Sequence, residues 1–237
     1  MLFFRSFIFA IYFYLWTGFS CIVMIPFLFT KAKTCTFSGR FWATGVIFGL
    51  KVICNIDYEE RGREFLPQDQ GFIIASKHQS AWDTIIFLKL FPQTCYILKA
   101  ELLKLPLFGS YLKALEMIAV DRKGGSKALK SMLKQTSERL KEKRQIILFP
   151  EGTRTMPGEK TSYQPGIALI YHEHRDTTII PAALNSGLFW PKHKFLKHPG
   201  TVVIEYLKPL SSELTKQEFM LQLSSVIEEK TSELMKS

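Results

Sequence analysis

A chain of 237 residues is long enough to bury a core of its own and reads as one catalytic domain behind an anchor. It carries 31 Lys and Arg against 21 Asp and Glu, a net charge of +10, on a sequence that is 47% hydrophobic with a mean hydropathy of +0.06. That pairing points to an anionic surface such as a membrane. Nucleic acid is set aside as a partner, because the chain has no zinc-finger spacing, no aromatic RNA-binding motif and no basic heptad region.

No charge interrupts the chain between Arg5 and Lys31, and those 25 residues are rich in Phe, Ile, Tyr, Leu and Trp. As a helix they would extend roughly 38 Å, enough for a hydrocarbon core of about 30 Å. A cleaved signal peptide has a shorter apolar run and a small-residue cleavage site, whereas Thr30-Lys31-Ala32-Lys33 follows here, so the segment reads as a retained anchor. Basic residues flank it on both sides, Arg5 before and Lys31, Lys33 and Arg40 after, which leaves the positive-inside rule without a clear orientation. A second apolar stretch, Phe41 to Ile56 with Lys51 inside it, pairs with the first in an interfacial or re-entrant hairpin whose ends both face the cytosol. A single span followed by a core helix is the alternative. Residues 1–57 are thus assigned to the anchor and 58–237 to the catalytic domain, with Arg61-Gly62-Arg63 and Pro67 to Gln70 as the turn-rich boundary. Cys21, Cys35, Cys54 and Cys95 are widely spaced with no Cys-x-x-Cys pair, and read as reduced structural thiols facing a cytosolic compartment.

From Tyr58 onward short apolar runs alternate with amphipathic ones. Phe72 to Ala75, Thr94 to Leu98, Met117 to Val120, Ile146 to Phe149, Ile179 to Leu184 and Val202 to Tyr206 are unbroken or nearly so, as strands covered on both faces are. Ser126 to Lys143 has a helical period, with Ala128, Leu129, Met132, Leu133 and Leu140 on one face. A last helix starts at Thr215, with Glu218 completing a capping box, and turns Phe219, Leu223, Val226 and Ile227 inward. The fold class is α/β: a mixed, mostly parallel sheet wrapped by helices, behind an apolar helical membrane anchor.

Two segments carry chemistry. In His78-Gln79-Ser80-Ala81-Trp82-Asp83 the histidine and the aspartate are five positions apart, about 140° around a helix axis, so both cannot share a helix face. With His78 on the loop after the strand and Ser80 as N-cap, Asp83 falls in the first helical turn and reaches back to one imidazole nitrogen. The other nitrogen is then free to act as a general base. A capped helix with a surface histidine is the bland reading of the same residues. The second segment, Phe149-Pro150-Glu151-Gly152-Thr153-Arg154, leaves a buried strand at its carboxyl end, where open α/β sheets bind ligands. Gly152 allows close backbone approach, Arg154 offers a fork for phosphate oxygens, and Glu151 could hold that arginine in register. Ser76 or Ser80 could serve an acyl-enzyme route, but no Gly-x-Ser-x-Gly elbow occurs. His172 and His174, two apart in a polar loop, read as solvated rather than as metal ligands.

His-x-x-x-x-Asp followed downstream by Phe-Pro-Glu-Gly-Thr-Arg resembles the glycerolipid acyltransferase family, most closely its bacterial 1-acyl-sn-glycerol-3-phosphate acyltransferases. The likeness runs from about Ile74 to Ser186 and includes Met117 to Arg122 and Ile179 to Asn185. It implies that His78 and Asp83 are catalytic and that Arg122, Glu151, Gly152, Thr153 and Arg154 bind the substrate phosphate, with Lys99 a further charge nearby. It implies acyl transfer from acyl-CoA or acyl-acyl carrier protein to lysophosphatidate at a bilayer, with no metal or other cofactor, and the Pro181 block near the acyl donor. It also implies a bacterial inner membrane, with the catalytic domain on the cytoplasmic side. Another lysolipid or glycerol 3-phosphate as acceptor, or a lipid-binding membrane protein without turnover, are the alternatives. Lys77 departs from the asparagine that many members carry before the histidine.

Overall fold

The apolar amino terminus folds back on itself. In the computed structural model, which describes residues 1–236 except the side chain of Lys33, α1 spans Leu2–Val23, a 3-10 turn spans Ile25–Phe29 and α2 spans Ala32–Cys54. The two helices run antiparallel: the Tyr12 hydroxyl donates to the Gly45 carbonyl (2.8 Å), and the Trp16 indole donates to the Trp42 carbonyl (2.9 Å). α2 thus begins well before Phe41. Of the basic residues that follow the first apolar run, Lys31 is the N-cap of α2 and the other two lie inside the helix, which tolerates Arg40 because only one stripe of it is buried. The side chain of Lys33, counted among the flanking charges, lies outside the described part.

The hairpin does not project away from the rest of the protein. Near the start of α1, the Ser6 hydroxyl accepts the Lys197 backbone N–H (2.9 Å) and Phe9 meets Trp190 edge to face. At its far end, the Cys21 carbonyl accepts the Tyr111 hydroxyl (2.7 Å). Phe9 and, on α2, Cys35, Val46 and Leu50 belong to the same buried core as the sheet. Both helices are also long and apolar enough to cross a membrane.

Seven strands follow: β1 (Ile56–Arg61), β2 (Phe72–Ser76), β3 (Thr94–Lys99), β4 (Ile118–Val120), β5 (Gln145–Leu148), β6 (Ile179–Leu184) and β7 (Gly200–Tyr206). Their order is β1-β7-β6-β2-β5-β3-β4, parallel throughout except for β6 against β7. The central strands β2 and β6 are buried at every position and almost wholly apolar, as strands covered on both faces should be. β1 went unread because Asp57, Glu59, Glu60 and Arg61 make it polar; it is an edge strand that runs across the 57/58 division, and of the turn-rich boundary only Arg61 belongs to it. Connecting helices are α3 (Ala81–Leu90), α4 (Phe108–Ala114), α5 (Gly125–Lys141), α6 (Gly166–Glu173) and α7 (Lys216–Leu234). α3 starts at the expected N-cap Ser80, where Asp83 completes a capping box, and α7 starts with the expected capping box at Thr215. The four cysteines are free.

Candidate active site

Three neighbouring parallel strands, β5, β2 and β6, end on the same edge of the sheet and deliver the chemistry-bearing segments side by side. β2 leads into Lys77 and His78, β5 into Glu151 to Arg154, and β6 into Asn185 and Ser186. Such an edge is where open parallel sheets collect ligands.

The capping geometry of α3 makes the pair that the spacing predicts. His78 Nδ1 lies 2.9 Å from Asp83 Oδ2, and the same oxygen accepts the backbone N–H groups of Gln79 (2.7 Å) and Ser80 (2.8 Å). The carboxylate that caps the helix therefore also orients the imidazole, and it is fully buried. Phe149 stacks on the ring at 3.9 Å and 16°, fixing its plane. Nε2 is the nitrogen left for the cavity on which His78 opens. Neither nearby serine competes for it: the Ser80 hydroxyl accepts the Trp82 N–H, and the Ser76 hydroxyl donates to the Lys77 carbonyl.

That cavity holds about 840 Å³ and is lined mostly by apolar side chains of α1, α2, α4, α5 and β3. At one end it meets His78, Arg122, Gly152, Thr153 and Arg154, and Lys99 also reaches it. Arg122, carried past the end of β4, donates through Nη2 to the Gly152 carbonyl (2.7 Å). Gly152 has φ +69°, and a Cβ there would stand 2.7 Å from that same nitrogen, so both conformation and contact call for glycine. Among the described residues, neither the Arg122 nor the Arg154 guanidinium forms an ion pair, so both charges stay available to an anion in the cavity. The Arg154 carbonyl is pinned by Lys192 Nζ at 2.6 Å.

Glu151 stands apart from the residues with which it was grouped. Its carboxylate turns inward, 2% exposed, to accept the His78 backbone N–H (3.0 Å) and to face Lys77 Nζ (3.4 Å) rather than Arg154. An inward anion cannot grip phosphate; its place is behind the histidine. Burial pushes its carboxyl above the usual range, and Lys77 pulls it partly back. Lys77 is buried too, and α7 completes its pairing through Glu228 at 2.7 Å, with the Tyr163 hydroxyl donating to the same oxygen at 3.0 Å.

Ser186 is the residue the sequence reading missed. Its buried hydroxyl donates to Asp83 Oδ1 at 2.5 Å across 103 positions of sequence, giving a partner to the carboxylate oxygen that His78 does not use. The Pro181 block, expected near the acyl donor, contributes no lining to the cavity; β6 instead carries Ser186 to the back of the pair. A serine just past a fully buried strand is the faint signal that was present.

A family model described as Acyltransferase matches residues 57–185. The chain is 35% identical over 202 residues to the 1-acyl-sn-glycerol-3-phosphate acyltransferase of Pseudomonas aeruginosa, covering 82% of this chain and 77% of that protein. It is 28% identical to the alpha form of that enzyme in Mus musculus (69% and 58% covered) and to the Saccharomyces cerevisiae enzyme (74% and 59%), and so spans less than two thirds of either. The crystal structure of the 1-acyl-sn-glycerophosphate (LPA) acyltransferase from Thermotoga maritima superposes with a TM-score of 0.79 at 22% identity, covering 99% of this chain and 98% of that one, which establishes a common fold.

Proposed function

The chain belongs to the acyltransferase family, and we propose that it moves a fatty acyl group from an acyl thioester to the sn-2 hydroxyl of lysophosphatidate, making phosphatidate for phospholipid synthesis. It is a 1-acylglycerol-3-phosphate O-acyltransferase. The observation that carries the mechanism is the His78–Asp83 pair opening on an apolar cavity with two unpaired guanidinium groups at the same end.

His78 Nε2 takes the proton of the sn-2 hydroxyl as the oxygen attacks the thioester carbonyl. Asp83 holds the ring and stabilises the imidazolium. As the tetrahedral adduct collapses, the carbon–sulfur bond breaks and the thiolate recovers the proton from the imidazolium, so the base ends as it began. Arg154 and Arg122 hold the phosphate, with Gly152 and Thr153 shaping its seat. The apolar remainder of the cavity takes acyl chain. The thioester is already activated, so this route calls on no cofactor beyond the donor, acyl-CoA or acyl-acyl carrier protein. Glu151 supports the base from behind and does not touch the phosphate.

The two apolar helices suggest membrane association. Contacts from both ends of α1 to the catalytic domain support a hairpin lying in the interface over a single span, because a span would draw α4 into the hydrocarbon with it. We assign the bilayer to a bacterial inner membrane, with the catalytic domain on its cytoplasmic side.

The test is phosphatidate formation from lysophosphatidate and a labelled acyl thioester by membranes carrying the wild-type chain, His78→Ala or Arg154→Ala. The expected result is turnover by wild type, a loss of about 100 to 10,000-fold in His78→Ala, and a raised KM for lysophosphatidate in Arg154→Ala. An inactive wild type with both donors would refute the acceptor, and glycerol 3-phosphate or a neutral lysolipid would then be tried. Unaltered lysophosphatidate binding with no new ester under any condition would favour a lipid-binding protein.

A further inference from the structure

Between Glu101 and Glu116 the chain has no acidic residue, and its only charges are Lys104 and Lys113. The four residues 105–108, which include the start of α4, carry three large apolar side chains into the open: Leu105, Leu107 and Phe108 are 48%, 42% and 49% exposed. Leu107 sits at φ 61° and ψ −54°, and the Phe108 N–H donates to the Pro106 carbonyl at 2.6 Å, a γ-turn of the rare, strained hand. The turn is braced from beneath, since a Cβ on Gly109 would come within 2.2 Å of the Leu103 carbonyl. A backbone held in strain to point leucine at solvent marks a surface with a use.

The surroundings identify the occupant. α4 packs on the 3-10 turn of the hairpin, whose Ile25 and Phe29 are 40% and 86% exposed, and Tyr111 ties α4 to the end of α1. Along α1, Phe4, Ile8, Ile11, Leu15, Phe19 and Ile22 form an exposed apolar stripe at helical spacing. The 105–108 turn therefore extends an apolar face that begins on the hairpin, and Lys104 and Lys113 flank it in sequence as headgroup-binding cations would. A second copy of the chain docked here about a two-fold axis would set this patch, whose only charges are lysines, against the same patch with no anion between 102 and 115 to pair them.

We propose that residues 105–108 form a second membrane-inserting element, separate in sequence from the hairpin, which seats α4 in the lipid interface. This rests on the hairpin being membrane-bound. Its consequence concerns the cavity: Phe108 is half-exposed and also lines the cavity beside Leu102, Tyr111 and Cys21, so this wall of the cavity stands at the lipid boundary. Acyl chains can then pass sideways between bilayer and site without crossing water.

The experiment uses the full chain with Cys21→Ser, the other three cysteines being buried, in vesicles of phosphatidylethanolamine and phosphatidylglycerol. Nitroxides are attached singly at Leu107→Cys, Leu105→Cys, Phe7→Cys on the hairpin and Lys141→Cys on α5, and their accessibility to oxygen and to a nickel chelate is measured. Expected are lipid-like values at 105, 107 and 7, at a depth of about 5–10 Å, and water-like values at 141. Lipid-like values at 7 with water-like values at 105 and 107 would overturn the proposal and leave the anchor reading standing. Exclusion of both reagents at 105 and 107 would show a protein partner there and overturn it equally. Water-like values at 7 would remove the anchor and the proposal together.

Discussion

Replacing Asp83 by asparagine separates charge from shape at the centre of this site. The carboxylate accepts three N–H donors on Oδ2, from His78, Gln79 and Ser80, and one hydroxyl on Oδ1, from Ser186. An asparagine can match this pattern if its oxygen faces the three donors and its amide faces Ser186, whose hydroxyl rotates to accept. Fold, ring tautomer and helix cap should then survive, and the loss is the negative charge opposite the developing imidazolium. At a charge separation of about 4 Å and an effective dielectric of about 20, that charge contributes up to about 4 kcal/mol, or roughly a thousandfold in rate. The assay is kcat and KM with a labelled thioester, beside thermal unfolding. We expect kcat to fall by about two to three orders of magnitude, with KM for lysophosphatidate and the unfolding midpoint little changed. Asp83→Ala should lose stability as well, because it strands the Gln79 and Ser80 N–H groups. A kcat within tenfold of wild type in Asp83→Asn, or a rise in KM in place of the fall in kcat, would refute this account of the pair.

Three further outcomes follow from the same geometry. Lys77→Met leaves two carboxylates without their buried cation and should cost about 3–5 kcal/mol in unfolding experiments, part of which Glu228→Gln in the same chain restores; no restoration would contradict the coupling. Gly152→Ala forces a side chain into a φ of +69° and pushes Arg122 off the loop carbonyl, so KM for lysophosphatidate should rise more than kcat falls. For Glu151, burial raises the folded carboxyl above its ordinary value of 4.5, so the folded state binds more protons in that window and stability declines as pH rises through it. Glu151→Gln, which keeps an acceptor for the His78 N–H, should flatten that decline; parallel pH–stability curves for the two proteins would count against it.

Much of this was legible before the fold was known, for reasons that lie in particular residues. Interior parallel strands are buried on both faces, so Phe72 to Ala75 and Ile179 to Leu184 stood out as unbroken apolar runs. Capping chemistry is local, so Ser80 and Asp83 located the start of α3 and, through it, the His78–Asp83 pair. What escaped was set by partners distant in sequence. Nothing near Asp83 announces Ser186, which arrives beside it because β6 lies next to β2. Glu151 read as a neighbour of Arg154, yet Lys77, 74 positions earlier, draws it inward. β1 carried too many charges to look like a strand, and only pairing with β7 makes it one.

The ties between α7 and the His78 loop bear on the order in which the site comes together. Glu228 supplies the counter-charge to Lys77, the Leu234 carbonyl accepts from Asn185, and the Gln79 amide reaches the sulfur of Met235. All three lie on or just past α7, which follows every strand of the sheet in the chain, whereas the apolar hairpin precedes them all. Synthesis therefore delivers the hairpin and the sheet before the helix that holds the His78 loop in place. A chain cut short of Glu228 should keep most of its sheet and lose the clamp on the loop between Lys77 and Asp83.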